Sequence, residues 1–138
     1  LITFTEDSLL GLAAKVGEPG ADGVDGRAAC GQIVWLALQF AQANPGMVRV
    51  LVGDALVFEQ ARLTERVGLL FEKLEAVLRA HWRHWANQQG LATPTADAQV
   101  RAALLLIYLR GVLHAFVRSD WKHLPTQGAD AHLETLLG

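Results

Sequence analysis

The run AALLLIYLRGVLHAFV, Ala102 to Val117, constrains this chain more than any other stretch, because sixteen residues with only Arg110 and His114 to carry charge must be covered by something. A membrane-spanning helix needs about 20 consecutive apolar residues. This run carries an arginine in its middle and stops at Arg118-Ser119-Asp120, so it reads as the core helix of a folded domain and no membrane span is expected. On a helix turning ~100° per residue the run has two different sides. Leu105, Leu109, Val112, Leu113 and Phe116 form a leucine-rich face suited to the domain's own interior. Ala103, Ile107 and Gly111 line the other side, beside a polar stripe at four-residue spacing, Arg110, His114 and Arg118. Small residues let two backbones approach closely, and isolated polar groups in a packed seam fix register. Ala103, Ile107, Arg110, Gly111, His114 and Arg118 are therefore expected at the interface of a homodimer.

The rest of the sequence follows the same period. No segment alternates apolar and polar residues at a step of two, whereas several repeat at three and four, which predicts an all-α bundle of about six helices. A first helix is expected from about Ile2 to Val16, with Phe4, Leu9, Leu12 and Val16 as its apolar stripe. GEPGADGVDG, Gly17 to Gly26, has four glycines and a proline in ten residues and reads as a mobile loop. A second helix should run from about Arg27 to Ala43, apolar at Ile33, Leu36, Ala37 and Phe40. Asn44-Pro45 then opens a third, with Asn44 as N-cap and Pro45 in the first helical position, reaching to about Gly53. The fourth helix, about Phe58 to Asn87, repeats Leu63, Val67, Leu70, Leu74, Leu78 and Trp82 on one side and a wet face on the other, where Glu75 and Arg79 form a favourable i,i+4 pair. Thr93-Pro94 opens the fifth helix, which ends near Ser119, and a short sixth starts at about Asp130.

Chemistry is sparse. His81 and His84 stand three apart, a spacing compatible with zinc, but no Cys or carboxylate flanks them at ligand spacing, so they read as surface or capping histidines and no metal or cofactor is expected. The glycine loop lacks the Gly-Lys-Ser/Thr ending of a phosphate cradle, and Asp22 and Asp25 do not match a calcium loop. Ser8, Ser119 and Cys30 lack the context of a nucleophile, so an enzyme is not expected. The lone Cys30 cannot form an internal disulfide. Residues 1 to 30 carry Glu6, Asp7, Glu18, Asp22 and Asp25 against Lys15 and Arg27, within a chain of net charge −2, the reverse of a nucleic-acid footprint.

Three segments carry a resemblance. NPGMVRVLVGDALVFEQARLTERV (44–67), LFEKLEAVLR (70–79) and GVLHAFVRSDWKHLPT (111–126) keep order and spacing across more than half the chain. They resemble the nucleoid occlusion branch of the TetR family of bacterial regulators. The resemblance implies a C-terminal regulatory and dimerisation domain over residues 1–138, preceded by an N-terminal helix-turn-helix domain that is missing here; Leu1, which offers no cap, fits a first helix that starts upstream. It also implies a two-fold dimer through the last two helices, DNA binding through the missing domain, and a cytoplasmic, nucleoid-associated location. In that branch the C-terminal tail of the tubulin-like division protein FtsZ docks near the first two helices of this domain. The matching positions are Phe4, Leu36 and Asn44, whereas Leu12 and Ala43 stand where the branch carries basic residues. The alternative within the same family is a ligand-responsive repressor, which would hold a small apolar effector in a cavity beside Trp35, Leu70 and Leu105.

Overall fold

The structure, a computed structural model, describes residues 2–53 and 60–138. Six helices account for most of them: α1 (Ile2–Lys15), α2 (Gly26–Ala43), α3 (Pro45–Leu51), α4 (Gln60–Gln88), α5 (Pro94–Arg118) and α6 (Ala129–Leu137), with no strand among the described residues. The all-α bundle expected from the sequence is the one found. The expected start of the fourth helix at Phe58 lies outside the described residues.

The two long helices α4 and α5 pack along each other as the spine of the bundle. Helix α2 lies across both, α1 packs on α2 and α4, α3 closes one end, and α6 rests on α2 and α5. By length and hydropathy α5 could cross a membrane. Its place is instead set by a continuous inner face, Ala98, Ala102, Leu105, Leu106, Leu109, Leu113 and Phe116, all buried against Leu70, Leu74, Leu78 and Trp82 of α4 and the aliphatic side of α2. Burying each of the leucine and phenylalanine side chains removes apolar surface worth about 1.5 to 3 kcal/mol, which is why the spine holds without strong polar ties.

The helix ends show how local chemistry sets the bounds. At the end of α4 the Leu91 N–H donates to the Ala86 carbonyl (3.1 Å) and the Gly90 N–H to that of Asn87 (3.1 Å), with Gly90 at φ 71°. This paired arrangement satisfies carbonyls that the helix leaves open and calls for a left-handed residue, which glycine supplies without strain. Helix α5 ends the same way: Trp121 N–H donates to the Phe116 carbonyl (2.9 Å) and Asp120 N–H to that of Val117 (3.1 Å). Here, however, the left-handed residues are Asp120 (φ 57°) and Trp121 (φ 68°), each at a cost of order 1 kcal/mol. The Trp121 ring offsets this by packing edge-on against Phe116 (4.9 Å) and lying under the Arg49 guanidinium (5.5 Å).

Some expectations shift. In α1 the buried face is Ile2, Thr5, Leu9 and Ala13, so Phe4 is off the stripe and stands 55% exposed. Asn44 does sit between α2 and α3, but its side chain caps neither N–H of α3; its amide donates to the Phe40 carbonyl at 2.8 Å. Asp25 caps α2, accepting from the Ala28 N–H. The glycine segment is a succession of turns, with Ala21 N–H donating to the Glu18 carbonyl and Val24 N–H to that of Ala21. At its end the backbone of Gly26 presses on α4: a Cβ there would stand 2.1 Å from the His81 carbonyl oxygen. At Gly31, further along α2, the Leu137 methyl closes over the bare backbone, 2.7 Å from where a Cβ would lie. The Glu75–Arg79 pair forms as expected (3.7 Å).

Candidate functional site

Two outward surfaces hold the residues singled out from the sequence, one on α1 and α2, the other on α5. On the first, Leu36, Phe40 and Asn44 follow one another at steps of four along one edge of α2, each half-buried. Phe4 of α1 leans over this edge, its ring centroid 6.3 Å from that of Phe40 at an interplanar angle of 41°. Helix α1 is held in place by Arg66 of α4, which donates to the Thr3 hydroxyl and pairs with Glu6. Ala43 is exposed and Leu12 half-buried, so neither adds charge to this surface. Phe40 was legible only as core; its four-residue step from Leu36 to Asn44 is the signal that places it here as well.

On the second surface, α5 turns outward a stripe at alternating steps of four and three: Val100, Leu104, Ile107, Gly111, His114 and Arg118. Val100, Leu104 and Ile107 are 60%, 48% and 66% exposed, three adjoining aliphatic side chains facing solvent in the single chain. Ala103 and Arg110 lie on its flank, Ala103 half-buried and Arg110 with its guanidinium over the Phe71 ring at 4.7 Å. Val100 and Leu104 are neither small nor polar, so only their four–three step from Ile107 places them on this stripe. Beside the stripe, the Tyr108 hydroxyl bonds His132 Nδ1 (3.0 Å), fixing α6 against α5.

The three residues expected around an effector cavity are distributed otherwise. Leu70 and Leu105 are fully buried in the core, and Trp35 is a half-buried side chain packed on its edge. An open cleft of about 300 Å³ lies elsewhere, between α3, α4 and α5, lined by Leu51, Val52, Phe71, Arg110, Gly111, Leu113 and His114.

His81 departs from its expected surface position. It is 0% exposed, and among the described residues neither ring nitrogen has a hydrogen-bond partner. Burial lowers its pKa from the usual 6.5, an effect that the neighbouring Gly17 backbone and Glu18 oppose and His84 reinforces. The glycine segment and the start of α2 bring this about, since they cover the α4 turn that the sequence leaves looking open. Burial likewise pushes the Cys30 thiol far up, with the Asp25 charge adding to it, while the thiol donates to the Leu78 carbonyl (3.4 Å). No cluster of three metal-ligating side chains occurs among the described residues.

A family model of SlmA-like type, described as the tetracyclin repressor-like C-terminal domain, matches residues 27–137. The chain belongs to this family. It is similar to the nucleoid occlusion factor SlmA of Vibrio cholerae, 38% identical over 132 residues that make up 96% of the chain and 65% of the relative. The corresponding factors of Klebsiella pneumoniae and Escherichia coli O127:H6 are 41% identical over 131 residues, 95% of the chain and 64% of each relative. The chain thus spans just under two-thirds of the length of these curated relatives. The all-α bundle described above is consistent with a domain of this family.

Proposed function

We propose that this chain is the dimerisation and partner-binding domain of a DNA-binding regulator that acts in nucleoid occlusion, restraining FtsZ assembly and hence septum formation over the chromosome. The observation that carries the reading is Phe4, exposed on α1 and leaning over Leu36, Phe40 and Asn44 of α2 in a chain similar to nucleoid occlusion factors. A shallow apolar edge between two helices, closed at one end by an amide, suits the apolar side of a short amphipathic peptide. The proposed occupant is the C-terminal tail of FtsZ. In this reading Phe4 and Leu36 give apolar contact and Asn44 a polar end.

The α5 stripe is the proposed seam of a homodimer. An isolated pair of Leu and Ile side chains on a surface needs no partner, but Val100, Leu104 and Ile107 in one row beside Gly111 form a connected apolar strip. Two copies related by a two-fold axis would cover it mutually. DNA contact is assigned to a helix-turn-helix outside this chain, in keeping with the acidic balance of residues 1 to 30, and the working location is the cytoplasm, at the nucleoid.

Fluorescence anisotropy with a labelled FtsZ tail peptide tests the partner. Phe4→Ala and Leu36→Ala should each weaken a micromolar contact about tenfold, equivalent to about 1.4 kcal/mol. An absence of binding by the wild-type chain, or equal binding by all three, rejects the groove.

A further inference from the structure

Phe4 is an unusual anchor. A phenylalanine more than half exposed on a helix has neighbours on one side only, and its ring is free to fold down onto its own helix unless something holds it. Phe40 lies across the helix–helix seam at a centroid distance of 6.3 Å and a tilt of 41°, inside the 4.5–7 Å range in which aromatic pairs attract. Phe40 is itself immobilised from two sides. Its ring packs on the core, and its carbonyl accepts the Asn44 amide N–H at 2.8 Å, which fixes the last turn of α2 beneath it.

We infer that Phe40 is the positioning residue of the α1–α2 groove: its ring holds that of Phe4 out over the seam, so that the two rings and Leu36 together take one branched aliphatic side chain of the docking peptide. The inference rests on the peptide-groove reading above. The chemical class of the occupant follows from what the three residues offer, ring surface and methyl groups with no charge and no hydrogen-bond donor. A leucine, isoleucine or valine of the partner matches such a surface; a charged side chain placed there would lose its hydration without compensation.

The test separates the aromatic ring from apolar bulk. Phe40→Leu keeps a large apolar side chain and removes the ring, Phe40→Tyr keeps the ring, and Phe4→Leu removes its counterpart. Each is measured with the labelled FtsZ tail peptide by anisotropy, alongside its thermal melt. Phe40→Leu and Phe4→Leu should each weaken binding about tenfold, Phe40→Tyr should stay within about twofold of wild type, and the double Leu variant should be hardly weaker than either single one, since each removes the same ring pair. Should Phe40→Leu fold poorly, Phe40→Met, a more pliable apolar side chain, takes its place. Wild-type-like binding by Phe40→Leu while Phe4→Leu loses it, or losses that multiply in the double variant, overturns the role of Phe40 and leaves the groove standing. Lack of binding by the wild-type chain overturns both.

Discussion

Gly26 of α2 and His81 of α4 meet backbone to backbone, with no room for a side chain between them: a Cβ on Gly26 would stand 2.1 Å from the His81 carbonyl oxygen and 3.1 Å from the Trp85 Cβ. Backbone cannot swing aside as a side-chain tip can, so Gly26→Ala must push α2 and α4 apart. We expect a loss of about 2 to 3 kcal/mol in urea unfolding. Gly11→Ala is the control, because nothing lies within 4 Å of its Cβ position on exposed α1. That change should leave stability unchanged or raise it by about 0.5 to 1 kcal/mol through helix propensity. Equal effects of the two substitutions would show that the α2–α4 contact is looser than described.

The burial of His81 beside this contact predicts a pH response. Burial lowers the His81 pKa in the folded chain below its unfolded value of 6.5, so the unfolded chain binds the extra proton first as pH falls. The stability that neutral His81 contributes is complete above pH 6.5 and is lost progressively below it. The melting temperature should therefore fall between pH 7 and pH 5 in the wild type. In His81→Leu that slope should flatten; a slope identical in both proteins would assign the acid sensitivity to other groups.

On α5, Ile107→Glu places a charge at the end of the exposed aliphatic row, next to Gly111, without touching the buried face. Light scattering of the wild-type chain at micromolar concentration should give about twice the monomer mass, and the variant about the monomer mass at unchanged helicity. Gly111→Leu should weaken self-association by holding the two helices apart, since nothing in the single chain fills its Cβ position. A monomeric wild type would remove the α5 seam.

Salt offers a separate check on the α1–α2 groove. Phe4, Leu36, Phe40 and Asn44 carry no charge, and Leu12 and Ala43 beside them add none. Raising the ionic strength from about 0.05 to 0.3 M shortens the Debye length roughly two- to threefold, yet peptide affinity should change by less than about twofold. A steep decline would mean that basic side chains elsewhere grip the peptide.

Asp120 gives a gain rather than a loss. It occupies, at φ 57°, the position that Gly90 fills at the end of α4, and the carbonyl pairing around both is alike. Asp120→Gly should relieve about 1 kcal/mol and raise the melting temperature by about 3 °C. A decrease would show that the aspartate side chain makes up for its backbone.

The long helices were legible because their signals are local. Thr93-Pro94 and the leucine repeat fix α5 to within a residue at each end, and Glu75–Arg79 needs only one turn of helix. His81 was misread for the opposite reason: its burial is imposed by Gly17 to Gly26, far away in sequence, folding back over α4, and nothing in the residues around His81 announces that cover. Phe40 shows a third case. Its half-buried ring belongs to the core on one side and to the groove on the other, and a hydrophobic pattern records only the first. Asn44 has the side chain of a good N-cap, but the carbonyl of Phe40, one turn back in α2, takes its amide instead.

Helix α2 is covered on one side by the end of the chain itself, where the Leu137 methyl closes over Gly31, while another edge carries Leu36 and Phe40. A bare helix backbone keeps its amide protons only while something shields it and the helix stays closed. Departure of α6 uncovers that spot, so hydrogen–deuterium exchange around Ala29 to Ile33 reports on the seating of Leu137, and a probe attached near the C-terminus is read out in the helix that carries the groove.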